Sequence, residues 1–453
     1  MRSARRSAAI ATILSWIVAF APVPARAGDH KLGAAVAPVR LIARGQPTLV
    51  GDHRYFGTVE IGSLSSGLTV SDRLSLEDYL LGLNEVPTDW PMEALRAQAI
   101  AARTYALFGL AQGRTGEGAV YGYDICATTA CQVFSGADVV STSSGARWRD
   151  AVSSTSHQAV LYNGAPILAR YHSTSGGYTL DNEVAFPTEG AYPYLQSVSS
   201  TTETASPLYR WYVTFRIKDL EAILRRAGWW HRPAHLVSVH SFPSSPSVPY
   251  PQIAFRFERG TITRSAEDLR DVVRDLAPAM FPGVYPSRAP TSTGRLPETF
   301  PSSRVAISTR GKRVRVVGRG WGHGVGMSQW GAYGMAQQGA TYTDILTHYY
   351  SGTTVGTIDE PRSIEVGLSQ QNSSVTASGA FEVVDGRGNV LVRRALGTWS
   401  FTSAGPGAVA IHPPQGFGLP LRVGIVDAPK RVLVGASTFL TVALSRPAQV
   451  KTE

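Results

Sequence analysis

The stretch LGLNEVPTDWPMEALRAQAIAARTYAL, residues Leu81 to Leu107, decides how the chain is read. Its second half is a helix. Pro91 suits a first helical position, and Pro91 to about Leu110 is rich in Ala, Leu, Arg and Gln. Six alanines between Ala94 and Ala106 leave little side chain, so another element packs closely on this helix. Gln98 and Arg103 are its polar exceptions. Upstream, Ser75 is the candidate N-cap of a short helix reaching Leu83, with Glu77 and Asp78 in its first turn. Between the two helices lies Glu85, amid Leu83, Val86 and Trp90. A carboxyl in apolar company holds its proton closer to neutral pH, as a general acid for glycosidic cleavage must. Gln98 and Arg103 could orient or pair with it. On residues alone, a solvated turn glutamate is the competing reading.

Around that stretch, the whole chain of 453 residues allows two or three domains. With 43% hydrophobic and 17% charged residues it is too apolar for a disordered chain. Met1–Ala27 reads as a secretory signal peptide: Arg2, Arg5 and Arg6 precede an apolar run from Ala8 to Phe20, and Ala25-Arg26-Ala27 fits a cleavage site. No other apolar run reaches the ~18 residues of a membrane span. The net charge of +10 includes four arginines of that leader, so the mature chain carries +6. The remaining basic residues form only short pairs, such as Arg225-Arg226 and Arg393-Arg394, which argues against nucleic acid. A secreted, periplasmic or wall location follows, without membrane contact after leader cleavage, and there disulfides form.

Strand-like runs occur at Thr48–Val50, Tyr55–Ile61, Gln158–Tyr162, Ile167–Tyr171, Tyr194–Val198 and Trp211–Arg216, and helices near Lys218–Ala227 and Tyr342–Tyr350. Ser241–Gln252 and Tyr285–Ser303 are Pro/Ser-rich surface loops. From Ile364 to Leu444 the composition turns to Val, Gly and Thr with short β-type runs. The expected fold is α+β, mixing helices with antiparallel sheets. The leader (1–27) is followed by a β lead-in (28–74), one large domain (75–358) and a small all-β domain (359–453).

Two further segments could carry chemistry. In Tyr171-His-Ser-Thr-Ser-Gly-Gly-Tyr178, a β-type run ends in hydroxyls and glycines. That suits a ligand-binding loop, a Ser/His nucleophile using Ser173 or Ser175, or a plain polar turn. In Gly318-Arg-Gly-Trp-Gly-His-Gly-Val-Gly326, glycine takes every second position. If the segment is extended, one face has no side chains, so a ligand or another backbone can lie flat on it. The reading stays open between a sugar groove and a tightly packed strand. Cys126 and Cys131 could form a local disulfide or half of a metal site.

In this order, LGLNEVPTDWPMEALRAQAIAARTYAL, DICATTACQVFSG, ARYHSTSGGYT and GRGWGHGVGMSQWGAYGMAQQGATYTDILTHYYSGT resemble the SpoIID/LytB family, the stage II sporulation protein D and amidase-enhancer proteins. The likeness runs from about Leu81 to Thr353. It implies a fold of the SpoIID type and lytic transglycosylase activity on peptidoglycan glycan strands, often ones stripped of stem peptides. The alternative it implies is a non-catalytic, glycan-binding enhancer of a cell-wall amidase. The family's catalytic glutamate falls on Glu85, with Val86 replacing the Met of a Glu-Met-Pro motif. Gln98, Arg103, Tyr171, Ser173, Ser175, Gly176, Trp321, His323 and Gln329 become expected glycan-binding residues. A third reading is a serine hydrolase built on Ser175 and His172. No cofactor is expected. Some relatives bind zinc near Cys126 and Cys131, commonly with a His before the second Cys. Here that position is Ala130, which favours a disulfide over a four-ligand zinc site.

Overall fold

The computed structural model describes residues 32–243, 251–288, 299–359, 361, 363–415, 417, 423–427 and 441–444. The leader lies outside them, as do most of the 241–252 loop and the middle of the 285–303 loop. The fold is α+β. Its base is an eleven-stranded sheet. Nine strands follow one another in the order Ala34–Val36, Ala408–His412, Val390–Ser403, Ser374–Val384, Val39–Ala43, Thr58–Leu64, Gly67–Leu74, Ile364–Asn372 and Ile125–Cys126. Thr48–Val50 branches from Ser374–Val384, and His53–Tyr55 pairs with Thr48–Val50. Only the last pairing of the path, Gly367 with Cys126, is parallel.

The described residues of the C-terminal region are all-β, but through His412 their strands are shared with the N-terminal lead-in. Arg40 lies opposite Val384, and Ile364 opposite Leu74. Each set offers one apolar face along its period-2 strands. Val39, Leu41, Val59 and Ile61 from one end of the chain close a single core with Phe381, Val383, Phe401 and Ile411 from the other. The described strands from Ala34 to Leu74 and from Ile364 to His412 are therefore parts of one sheet. Two last strands, Val423–Asp427 and Thr441–Leu444, pair with each other.

The helix Met92–Gln112 lies across this base with Pro91 as its N-cap residue. Leu95, Ala99, Ala102 and Ala106 face the sheet core, while Ala97, Ile100 and Ala101 join a separate cluster containing Val160, Met327 and Tyr349. Alanine on both faces lets the helices Gly145–Ser154 and Gln329–Gln337 approach closely. A second core stands apart, built from two three-stranded sheets between Trp211 and Gly318 and the helices Ile217–Arg226 and Ala266–Met280. Trp211, Phe215, Phe255 and Phe300 fill it, apart from the cluster of Val160, Met327 and Tyr349. Ile167–Tyr171 and Tyr194–Val198 are not strands. Only Tyr171–His172 enters a ladder, parallel to Met327–Ser328. Leu168 N–H instead donates to the Tyr194 hydroxyl at 3.2 Å, so the backbone is satisfied without a neighbouring strand.

Candidate active site

Ser75 caps the helix Leu76–Leu81 by accepting from Asp78 N–H, and the chain then turns through Gly82 to Glu85. The turn is held from the opposite segment: Leu83 bridges Phe134, Asn84 N–H donates to Val133 O at 2.8 Å, and Ser135 N–H donates to Gly82 O at 2.8 Å. Gly82 is required there, because a Cβ would lie 2.3 Å from the Phe134 ring. Glu85 is half-buried. Its Oε1 accepts from Val133 N–H at 2.6 Å, and Tyr171 and Gln329 also hydrogen-bond its carboxylate. Burial lifts its proton affinity above the ordinary carboxylate range, and those hydrogen bonds offset the lift only in part.

Gln98 and Gln329 meet beside it. Gln329 Nε2 donates to the Glu85 carbonyl and to Gln98 Oε1, each at 3.4 Å. Gln98 Nε2 is buried without a hydrogen-bond partner among the described residues. Behind Tyr171 stands Gln132, fully buried, which the sequence reading did not single out. Its Nε2 donates to the Tyr171 hydroxyl at 2.8 Å, and its Oε1 accepts from Tyr79 at 2.7 Å. Trp90, Trp330 and Tyr333 form an aromatic cluster with ring centroids 4.9–5.3 Å apart, starting at the residue after Gln329. Two clefts open nearby. One, about 510 Å³, is lined by Asn84, Val86, Thr88 and Ser135. The other, about 410 Å³, is lined by Tyr105, Phe108, Cys126, Cys131 and Leu168.

The glycine strip is not an extended, bare-faced groove. Gly320, Gly322, Gly324 and Gly326 all have positive φ, between 68° and 95°. The space a side chain would take is already occupied: a Cβ on Gly320 would lie 2.5 Å from Thr174 O, and one on Gly326 2.1 Å from Arg170 O. The strip thus packs on the 170–175 segment, joined by reciprocal bonds between Trp321 and Thr174. Period-2 glycine carries no side-chain signal to separate a flat strand from alternating left-handed turns.

The residues expected to line that groove are engaged inside the protein. The His323 imidazole accepts from Val325 N–H at Nδ1 (3.1 Å) and is bonded to the Tyr171 backbone. Burial, with Arg170 nearby, drops its pKa to about 3, so it is neutral. Trp321 packs on the second core. Gly176 is buried against Arg319. Ser173 is half-buried, its carbonyl accepting from Trp330 N–H at 3.0 Å. Ser175 is fully buried and donates to Glu203 at 2.7 Å. Glu203 also accepts from Ser175 N–H, Gly177 N–H, Ser200 and Ser328. The Ser175 hydroxyl is committed to a carboxylate, and His172 Nδ1 bonds Val325 O, so the Ser175–His172 nucleophile is not assembled.

Arg103 does not reach for Glu85. It is fully buried and binds Glu77 at 2.6 and 2.8 Å, with further bonds to the carbonyls of Gln158 and Val152. It ties the Met92–Gln112 helix to the preceding one. Cys126 and Cys131 form a disulfide. Its sulfurs are not thiolates, and among the described residues no group of three or more His, Cys, Asp or Glu is placed to hold a metal ion. The residues present do not fit zinc. Of the expected site residues, Glu85, Gln98, Tyr171 and Gln329 come together. Gln132, Val133 and Glu203 were missed. Gln132 and Val133 directly follow Cys131 in the stretch DICATTACQVFSG, but Glu203, in the run Ser199-Ser-Thr-Thr-Glu203, carries no signal beyond a lone acid among hydroxyls.

Comparison with known proteins adds four findings. A family model described as "Stage II sporulation protein" matches residues 65–162. A stage II sporulation protein D of Bacillus subtilis is 31% identical over 297 residues, covering 64% of this chain and 76% of its own. An uncharacterized protein of Brachyspira hyodysenteriae is 29% identical over 304 residues, 66% of this chain and 72% of that one. An amidase enhancer of Bacillus subtilis is 30% identical over 297 residues, 60% of this chain but 39% of the enhancer.

Proposed function

We propose, from the premise that this chain belongs to the stage II sporulation protein D family, that it is a secreted lytic transglycosylase acting on the glycan backbone of peptidoglycan. A cell-wall role accords with the amidase enhancer among its relatives. The observation that carries the finer reading is Glu85: a half-buried carboxyl with raised proton affinity, held by Val133 N–H, Tyr171 and Gln329. Among the described residues, the groups hydrogen-bonded to it are Val133 N–H, Tyr171 and Gln329. A hydrolase of the two-carboxylate type needs a nucleophile or base besides the acid; a transglycosylase does not.

In this mechanism Glu85 donates its proton to the glycosidic oxygen between N-acetylmuramic acid and N-acetylglucosamine, and that C–O bond breaks. The Glu85 carboxylate then takes the proton from the muramic acid's primary hydroxyl, whose oxygen closes onto the anomeric carbon. The product is a 1,6-anhydro sugar, and Glu85 ends protonated for the next cycle. Gln329 hydrogen-bonds the carboxyl and, through its bond to Gln98, links it to the helix Met92–Gln112. Strands poor in stem peptides are the preferred substrate in this reading, and the location is the periplasm or cell wall. The test is purified protein on isolated sacculi, intact and amidase-treated. Wild type is expected to release anhydro-muropeptides and Glu85→Gln none. Equal release by both overturns the assignment, and no release by either supports the second reading, a glycan-binding amidase enhancer.

A further inference from the structure

We propose that Gln132 is a positioning residue that directs the hydroxyl hydrogen of Tyr171 onto the Glu85 carboxylate. The inference rests on the reading of Glu85 as the proton donor and deepens it. The polarity of the chain Tyr79–Gln132–Tyr171–Glu85 follows from its fixed ends. The Ala102 carbonyl can only accept, and it takes one hydrogen of Gln132 Nε2 at 3.3 Å. That fixes the amide's orientation. The same Nε2 donates its other hydrogen to the Tyr171 oxygen at 2.8 Å. On the far side Gln132 Oε1 accepts from the Tyr79 hydroxyl at 2.7 Å. With its oxygen already receiving a hydrogen bond, the Tyr171 hydroxyl sends its own hydrogen to Glu85, the carboxylate to which it is bonded. Gln132 is fully buried and bonded on both sides of its amide, so it does not turn to serve another partner.

The consequence is electrostatic. A hydrogen bond donated to the charged carboxylate favours its ionised form. Burial pulls the other way, and Gln132 sets the balance without touching Glu85. The titratable side chains facing Glu85 are Tyr79 from the helix Leu76–Leu81, Tyr105 from the helix Met92–Gln112 and Tyr171 from its short strand. Burial raises all three phenols, so they stay neutral across the working range. Val133 N–H and Gln329 are the other polar groups on the carboxylate.

The probe is the side-chain carboxyl resonance of Glu85 in full-length protein labelled with carbon-13 glutamate, assigned by its loss in Glu85→Gln. Gln132→Leu and Tyr171→Phe are both expected to raise its titration midpoint by about one pH unit, a tenfold change, because a charge-assisted hydrogen bond is lost. The alkaline limb of glycan cleavage moves with it. Gln132→Met, of similar reach and without an amide, is the second variant should Gln132→Leu not fold. A midpoint that moves in Tyr171→Phe but stays put in the Gln132 variants overturns the positioning role, as does a midpoint unmoved in all of them. A rate lowered at every pH, with the limb and midpoint in place, marks Gln132 as packing only. Because the titration is read without substrate, a fully active Glu85→Gln would overturn the reaction assignment and leave this measurement standing.

Discussion

Replacing Gly326 by alanine distinguishes a packed glycine strip from an open sugar groove. At φ +68° an L-residue costs about 1–2 kcal/mol. The new Cβ would also fall 2.1 Å from the Arg170 carbonyl oxygen, where real Cβ atoms stay beyond 3.0 Å. The two backbones must therefore part by nearly an ångström. That oxygen accepts from Met327 N–H at 3.1 Å and from the Tyr350 hydroxyl at 2.8 Å. Weakening two hydrogen bonds adds about 1 kcal/mol each, for a total of roughly 3–4 kcal/mol. Gly339→Ala is the matched control, because its φ is +91° and nothing lies within 4 Å of its Cβ. It loses only the backbone contribution. Urea unfolding followed by tryptophan fluorescence is expected to place Gly326→Ala about 2 kcal/mol below Gly339→Ala. Equal destabilisation of the two variants would refute the packed strip and return it to the status of an open face.

Two further outcomes follow from other parts of the fold. Replacing Cys126 and Cys131 together by serine is expected to cost about 2 kcal/mol in urea unfolding, the amount for so short a closed loop, and to weaken glycan cleavage because Val133 N–H sits two residues beyond Cys131; unchanged stability and rate would contradict this. Asp72 is fully buried, and burial, partly offset by the Gly57 backbone, pushes its pKa up to about 7. A raised folded value means its contribution is fully present below the unfolded value near 4 and is lost as pH rises through about 7. Thermal unfolding at pH 5 and pH 8.5 is expected to show the decline in wild type and a flatter profile in Asp72→Asn; parallel profiles would count against it.

Much of the local structure was legible because it is written in short-range chemistry. Ser75 caps its helix, and the strands Gln158–Tyr162 and Trp211–Arg216 stand where their composition puts them. Alternation identifies a strand but not its partner, so nothing in the sequence joined Val39–Ala43 to Ser374–Val384 across more than 300 residues. At the site, the apolar neighbours of Glu85 pointed to a lifted carboxyl, and Gln98 lies on the helix face that meets Gln329. Arg103 sits five residues on, which turns it toward Glu77 instead. Gln132 and Glu203 escaped notice because a buried hub is defined by partners that the fold brings to it, for Gln132 from Tyr79, Ala102 and Tyr171. For Glu203 the distant donors are Ser175, Gly177 and Ser328, with Ser200 close by in sequence.

The central claim is that Glu85 cleaves the glycan without an attacking water. Digesting amidase-treated sacculi in heavy-oxygen water, followed by mass spectrometry of the released fragments, tests it most directly. The expected products are anhydro-muramyl ends lighter than the reducing sugar by one water and free of heavy oxygen, absent with Glu85→Gln. Reducing ends carrying the heavy oxygen would contradict it and show a hydrolase.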